Sequence, residues 1–376
     1  GSHLPHLAID PDRRPVLSWV EPRGAGAALV YSVLEGDRWS APVTVAEGEH
    51  WFLNWADFPA VHPLDGALWA AHWLVKQPGG MYAYDIAVAV SRDGGRHWEA
   101  PFRPHDDDTP TEHGFVSLWP AVLADGATAI GVAWLDGRHN LLDPSAAEPD
   151  DPRTMLMSGV FHADGRLVRG APVDERVCDC CQTAVALTDD GPLVAYRDRS
   201  PEEVRDIHLA AGGRQGWRPL GPVAEEGWII NGCPVNGPGL SALGPDRAVA
   251  WYTEAGGERR VRIAFASGER WEPAITVAGG NVLGRVAVTL LPDGAAAVSW
   301  LGNVTADAAK LSLARVERRG AVSEPLEVAT VPAGRPSGFP QLLRDGDRLL
   351  LAWTAWNHGQ SRVTMARVPL AALTGD

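Results

Sequence analysis

One short pattern recurs through the whole chain: an apolar strand that ends in a large aromatic residue. It reads VLSWV at Trp19, LWAAHWL at Trp73, AIGVAWLDG at Trp134, LVAYRD at Tyr196, AVAWYT at Trp251, AAVSWL at Trp300 and LLLAWT at Trp353. The aromatics return at intervals of roughly 50–60 residues, the length of one four-stranded blade. Each is preceded by a turn such as HPLDG, TDDG or LPDG and followed by an alternating strand such as DIAVAVS, VRIAFAS or KLSLARV. Asp-Gly turns between alternating runs are hairpin signals. Several units add an outer strand that carries Trp: DRWSAPVTV, RHWEAPF, QGWRPLGPV and ERWEPAITV. The expected fold is therefore all-β, a single β-propeller of four-stranded blades over residues 4–376, seven blades in number with six as the alternative. A two-sheet sandwich does not account for seven similar units. The last unit lacks a clear outer strand, and N-terminal residues are expected to close it. Gly1, Ser2 and His3 read as a tag remnant outside the fold.

Charge narrows the partners. Lys plus Arg number 33 and Asp plus Glu 47, a formal charge of −14. An acidic chain without basic runs is a poor binder of nucleic acid or anionic membrane. No apolar run reaches the ~18 residues of a spanning helix. The expected partner is a small molecule or metal at the propeller mouth, and an exported, periplasmic or extracellular location is expected; oligomeric state is not legible.

The turn SRDGGRHW, with Ser91, Asp93, Gly95 and Trp98, fits S-x-D-x-G-x-x-W. It resembles the Asp-box of sialidase-like, BNR-repeat propellers, where the box is structural and speaks for fold rather than activity. That resemblance implies a glycan-active site with an arginine trio, a Tyr nucleophile with a Glu partner, and an Asp acid/base. The chain departs from it. The early Arg-Ile-Pro motif is missing, and the last tyrosine is Tyr252. Arg197, Arg199 and Arg205 in YRDRSPEEVRDIH are the available anion clamp, unless they pair with their own acidic neighbours. Sialidase chemistry is thus an alternative reading.

Propeller topology brings the loops that link each outer strand to the next inner strand to one face, together with the loops between second and third strands. The first set gathers His50, Trp51, Asn54, Asp57, His105, Glu112, His113, Cys178, Cys180, Cys181, Cys233 and Asn236; the second adds Arg138, His139 and Arg197. Functional residues belong on loops held by a rigid scaffold. Glu112, His113, Trp51 and Asp57 are the catalytic candidates. His50, Asn54, His105, Arg138, His139, Arg197 and Asn236 are candidates for support or substrate binding.

Only four cysteines occur, three of them in ERVCDCCQT and the fourth in GWIINGCPVNGP. Together these stretches resemble a bacterial subgroup of sialidase-like propellers with no activity to carry over. Three chemistries compete. A disulfide with Cys233 would staple neighbouring blades, though the adjacent pair Cys180-Cys181 is strained against normal Cα separations of ~4.4–6.8 Å. A dithiol redox site would want a helix N-terminus, and here the motif leads into a strand. A soft metal suits thiolates, with copper ahead of zinc because one knuckle plus a lone Cys is not a standard zinc arrangement. His113 is the first choice of imidazole. The leading expectation is an exported copper-binding propeller, with copper-dependent oxidation as its chemistry. The alternatives are a sialidase-type glycoside hydrolase and a non-catalytic binding propeller with structural disulfides.

Overall fold

The alternating runs become seven antiparallel sheets arranged as a seven-bladed β-propeller. The computed structural model describes residues 1–140 and 152–374. Blade 1 holds His3–Ile9, Pro15–Arg23 and Gly26–Glu35, with a broken outer strand at Arg38–Trp39 and Val43–Gly48. Blade 2 holds Ala60–Pro63, Trp69–Lys76 and Tyr84–Ser91, and Phe102 bridges Val88 in its outer position. Blade 3 comprises His113–Val122, Thr128–His139, Arg153–Phe161 and Leu167–Val177; blade 4, Ala184–Thr188, Gly191–Arg197, Ile207–Gly213 and Gly216–Pro222. In blade 5, Gly239–Leu243, Asp246–Thr253 and Arg260–Ser267 are followed by a second broken outer strand, Arg270–Trp271 with Ile275–Gly279. Blade 6 holds Val282–Leu290, Ala296–Gly302, Ala308–Val316 and Leu326–Pro332. Blade 7 has three strands, Gln341–Asp345, Arg348–Asn357 and Gln360–Pro369, and no outer strand among the described residues, as the sequence indicates. Among the described residues no helix is long and apolar enough to cross a membrane.

Every recurring aromatic lies on the second strand of its blade. Trp73, Trp134, Tyr196, Trp251, Trp300 and Trp353 are buried, and Trp19 is half-buried. A blade presents both faces to neighbours, so its strands are apolar on both sides. The buried apolar side chains form one cluster per blade interface. Leu29, Trp51 and Trp73 join blades 1 and 2; Leu193, Leu209 and Trp251 join blades 4 and 5; Leu7, Leu17, Leu34, Leu350 and Ala352 join blades 1 and 7. That last interface closes the ring. Leu4 N–H donates to Thr354 Oγ1 (3.2 Å), and Val363 N–H donates to Ser2 Oγ (2.9 Å). The segment read as a tag remnant therefore touches the last blade, and the first strand begins at His3.

The Ser91–Trp98 turn folds through its own side chains. Ser91 Oγ accepts from Gly95 N–H (2.9 Å) and donates to Asp93 Oδ1 (2.8 Å), while His97 N–H donates to Asp93 Oδ1 (3.0 Å). Gly95 has φ +87°, and a β-carbon there would meet the Tyr31 hydroxyl and the Trp69 ring. Tyr31 in turn donates to Gly95 O (2.8 Å) and packs edge-on to Trp98.

Inner strands from all seven blades line a central channel of about 460 Å³. His6, His62 and His72 face it from blades 1 and 2, with burial pushing His6 down to about 4 and His72 down to about 3. Trp251→Ala should lower the unfolding free energy by about 3–5 kcal/mol through loss of the blade 4–5 packing, read by denaturant titration of the folded protein.

Candidate functional site

The two cysteine stretches are successive crossings, from blade 3 to blade 4 and from blade 4 to blade 5, and they meet. Cys178 Sγ lies 3.6 Å from Cys181 Sγ and 3.8 Å from Cys180 Sγ. All four cysteines are free thiols. Cys180 also groups with Asp179 and Cys233, their ligand atoms lying within 4.8 Å of one another. Cys178 and Cys181 are buried, Cys180 is half-buried and Cys233 is exposed, so the cluster runs from core to solvent.

Three contacts hold it in place. Asn236 N–H donates to Cys181 Sγ (3.3 Å), and Arg205 Nη1 donates to Cys178 Sγ (3.2 Å) and Asp179 Oδ1 (3.3 Å). The residues after the cysteines tie the crossings together. Gln182 Nε2 donates to Ala56 O (2.5 Å), and Gln182 Oε1 accepts from Gly237 N–H (3.1 Å). Thr183 Oγ1 donates to Phe115 O (3.0 Å). A β-carbon at Gly237 would collide with the Gln182 backbone, so the glycine in GCPVNGP permits the two crossings to approach.

The sulfurs do not titrate alike. Burial resists ionisation of Cys178, but hydrogen bonding to Cys180 and Cys181 and the charges of Arg205 and Arg197 outweigh it and hold the thiol well below its ordinary value. Bonds to Cys178, Cys181 and Cys233 push Cys180 up. Burial, with the bond to Cys178, pushes Cys181 up. Cys178, beside a guanidinium, is the sulfur that ionises most readily, and a metal would displace the protons of the others. Ligands ~2.3 Å from a tetrahedral metal sit about 3.8 Å apart, close to the sulfur separations here.

No histidine joins this cluster among the described residues. The His113 imidazole lies elsewhere, parallel to His105 with ring centroids 4.0 Å apart. Its Nε2 is 2.8 Å from Asp107 Oδ2 and 3.7 Å from Asp136 Oδ1. Arg138 joins from below, donating to both oxygens of Asp136 (2.8 Å each).

Glu112 and Asp57 form a third group, next to the first. Asp57 is buried and lines the channel. Tyr84 donates its hydroxyl to Asp57 Oδ2 (3.4 Å) and stacks on Phe52 with centroids 4.2 Å apart. Gly114 passes so close to Asp57 that a β-carbon would strike the carboxylate. Burial pushes Asp57 up to about 7. Burial, then the charges of Asp179 and Asp57, push Glu112 up to about 8. Two carboxyls raised to about neutrality and above, one of them lining the channel, have the character of general acids.

The remaining candidates are distributed differently. Trp51 is core: it stacks on Trp73 with centroids 5.3 Å apart. Asn54 caps its own turn, accepting from Ala56 N–H (2.9 Å). His50 and His139 are exposed and belong to none of the three groups. Arg197 is buried and donates to the backbone carbonyls of Asn236, Arg205 and Tyr252 (2.6–3.1 Å), with its guanidinium 4.9 Å from the Trp228 ring centroid. Arg199 and Arg205 share Glu203. The arginine trio is therefore engaged by the protein itself, and Asn236 is scaffold. A cation without a motif was missed. Arg285 stacks 4.5 Å from the Trp55 ring centroid, donates to Ser337 Oγ and Gly338 O, and has no carboxylate partner among the described residues. Burial pulls it down to about 10.

No family model matches the chain, and no curated protein matches it. Solved structures do. The α-L-arabinofuranosidase of Fusarium graminearum in complex with arabinobiose aligns with TM-score 0.54 and 12% identity over 84% of this chain and 94% of that one. Polysaccharide lyase Uly1 aligns at 0.53 and 8% identity over 98% and 90%. The Hadza microbial sialidase Hz136 aligns at 0.45 and 12% identity, the match covering 80% of this chain and 63% of the sialidase. At such identities the similarity to the arabinofuranosidase and to Uly1 is one of fold alone.

The raised carboxyls have a pH signature. Asp57 and Glu112 start from ordinary values of 3.8 and 4.5 and stand at about 7 and about 8 in the fold. Native protein thus holds protons that the unfolded chain releases, so their contribution is complete below about pH 4 and is lost as pH rises through about 7 to 8. Glu112→Gln should flatten the decline of unfolding free energy over that range relative to wild type, measured by denaturant titration at each pH.

Proposed function

We propose that the crossings out of blades 3 and 4 form a thiolate centre for a soft metal, copper(I) or zinc, at the mouth of a small-molecule-binding propeller. The observation that carries this reading is the spacing of Cys178, Cys180 and Cys181. Cys233 and Asp179 extend the donor set toward solvent. Soft sulfur donors select copper(I) and zinc over harder cations. Exposure at Cys233 gives the metal an entry path. In an exported setting, bound metal would also protect the neighbouring thiols from pairing as disulfides. Protein purified without chelator and reconstituted with copper(I) or zinc should hold one equivalent, measured by elemental analysis after desalting. Cys180→Ser, which removes the sulfur common to both donor groups, should weaken retention at least about tenfold. Sub-stoichiometric copper and zinc in the wild-type protein would overturn the reading.

A second reading rests on Asp57 and Glu112. A channel of about 460 Å³ lined by Asp57 and Phe339, with Glu112 in the field of Asp57 and with Trp55 and Arg285 packed on Phe339, suits a glycan with an anionic group. The structural neighbours, an arabinofuranosidase and a polysaccharide lyase, favour this reading and say nothing for the metal. With Arg197, Arg199 and Arg205 already engaged, Arg285 is the cation placed to meet such a group. Screening of arabinans, sialosides and uronic-acid polysaccharides should reveal a turnover that Glu112→Gln lowers by about 10²-fold or more. Absence of turnover and of binding across that screen would remove it.

A further inference from the structure

The inner strand of blade 6 breaks its pairing register between Gly284 and Ala287, and inside the break Arg285 takes a positive φ of +53°. The same break recurs in blades 1 and 3, where Leu4 (φ +55°) and Phe115 (φ +52°) hold the equivalent place. A bulge of this kind re-aims one side chain of a strand. Leu4, Phe115 and Arg285 are all buried. Two blades thus fill this place with an apolar side chain, and blade 6 fills it with a cation. Asn236 holds the bulge, its Oδ1 accepting from Arg285 N–H (2.7 Å).

The guanidinium is satisfied on one nitrogen only. Nη1 donates to Ser337 Oγ and to Gly338 O (3.0 Å). Nε and Nη2 have no hydrogen-bond partner and no carboxylate partner among the described residues, and neither is sealed from solvent. The other buried arginines differ. Arg197 directs all three nitrogens at backbone carbonyls. Arg205 grips Glu203 with Nε and Nη2 (3.2 and 2.7 Å), and Arg247 has Asp190 at 4.0 Å. The Nε and Nη2 hydrogens point the same way and form the fork that takes a carboxylate side-on. Arg92, Arg138, Arg199 and Arg205 each use that fork on a carboxylate of this chain. At Arg285 the fork has no such partner.

Its surroundings are aromatic and lie beside the channel. The guanidinium carbon stands 4.5 Å from the Trp55 ring centroid and 5.7 Å from that of Phe339, and the two rings stack with centroids 5.8 Å apart. Phe339 lines the channel, as does Val286, the next residue after Arg285. We propose that the Nε/Nη2 fork of Arg285 is a subsite for one carboxylate, and that the ligand of the channel mouth is a sugar acid, gripped through the carboxylate of a uronate unit. The sugar rests on the glycan reading given above; the carboxylate does not. A carboxylate brings two coplanar oxygens to two coplanar donors and cancels a single buried charge. A phosphate dianion would leave a desolvated negative charge, and the tetrahedral oxygens of a sulfate ester outnumber the donors. A neutral arabinan would leave the cation as unpaired as it is in the protein alone.

Calorimetric titration with glucuronate, its methyl ester, glucose and benzoate tests this. Glucuronate should bind at least about tenfold more tightly than the ester or glucose, and the ratio should fall to about one in Arg285→Met. Arg285→Lys, which keeps the charge without the fork, should lose most of the preference. If the variants fail to fold, crystals of the wild type grown with glucuronate read the contact directly, with both carboxylate oxygens expected on Nε and Nη2. Equal binding of acid, ester and glucose overturns the subsite and leaves the glycan reading standing. A preference for the acid that survives in Arg285→Met also overturns it. Benzoate bound through Arg285, with no sugar or sugar acid bound, supports the carboxylate subsite and counts against the glycan. No binding by any of the four overturns the subsite, whether or not the polysaccharide screen shows turnover.

Discussion

Everything at the mouth of this protein depends on the packing of one blade against the next. Each sheet is apolar on both faces, so no blade can bury itself alone, and each interface is filled by aromatic and branched side chains such as those around Trp251 and Trp300. The ring becomes stable when the last interface, between Leu7 and Leu17 on one side and Leu350 and Ala352 on the other, is made. Closure then fixes where every crossing emerges.

That rigidity lets the crossings hold costly polar groups. Arg197 sits in the interior with its charge spread over three backbone carbonyls and a tryptophan face. It supports Asn236, whose N–H meets Cys181 and whose side-chain oxygen accepts from Arg285 N–H (2.7 Å). Gln182, Thr183 and Asn236 thus connect crossings that lie far apart in the chain. Buried polar groups of this kind are tolerated only when satisfied. Exceptions among the described residues include His113 Nδ1 and the channel-facing nitrogens His6 Nδ1, His62 Nε2 and His72 Nδ1.

The three polar groups have different chemical temperaments. Thiols beside Arg205 favour a soft metal. Asp57 and Glu112, desolvated and near each other's field, hold their protons to higher pH than ordinary carboxyls. The stacked His105 and His113 both lean on Asp107. Glu112 feels the charge of Asp179, so the carboxyl pair and the thiol cluster are electrostatic neighbours. A change in charge on the sulfurs would therefore be felt by the acid beside them.

The repeat of aromatic strands was enough to specify the blades and the face on which the unusual residues meet, because blade register follows local alternation and turn chemistry; it favoured seven blades over six, and the structure has seven. The approach of Cys233 to Cys180 was legible for the same reason, since adjacent crossings must lie side by side. What the sequence could not show is which side chains turn toward one another within that face. His113 stands next to Glu112 in the chain, yet the strand pleat sends it to Asp85 and Asp107, while Glu112 lies within the field of Asp57 and Asp179. Asp136 and Arg285 lie on strands whose pattern reads as ordinary blade, and only the packing of neighbouring blades brings them to a site. The arginines of YRDRSPEEVRDIH carried the opposite ambiguity, which burial and three backbone carbonyls resolved for Arg197. Periodicity is a local property and fixes the scaffold; the orientation and desolvation of polar groups are set by neighbours distant in the chain, and those the tertiary structure alone decides.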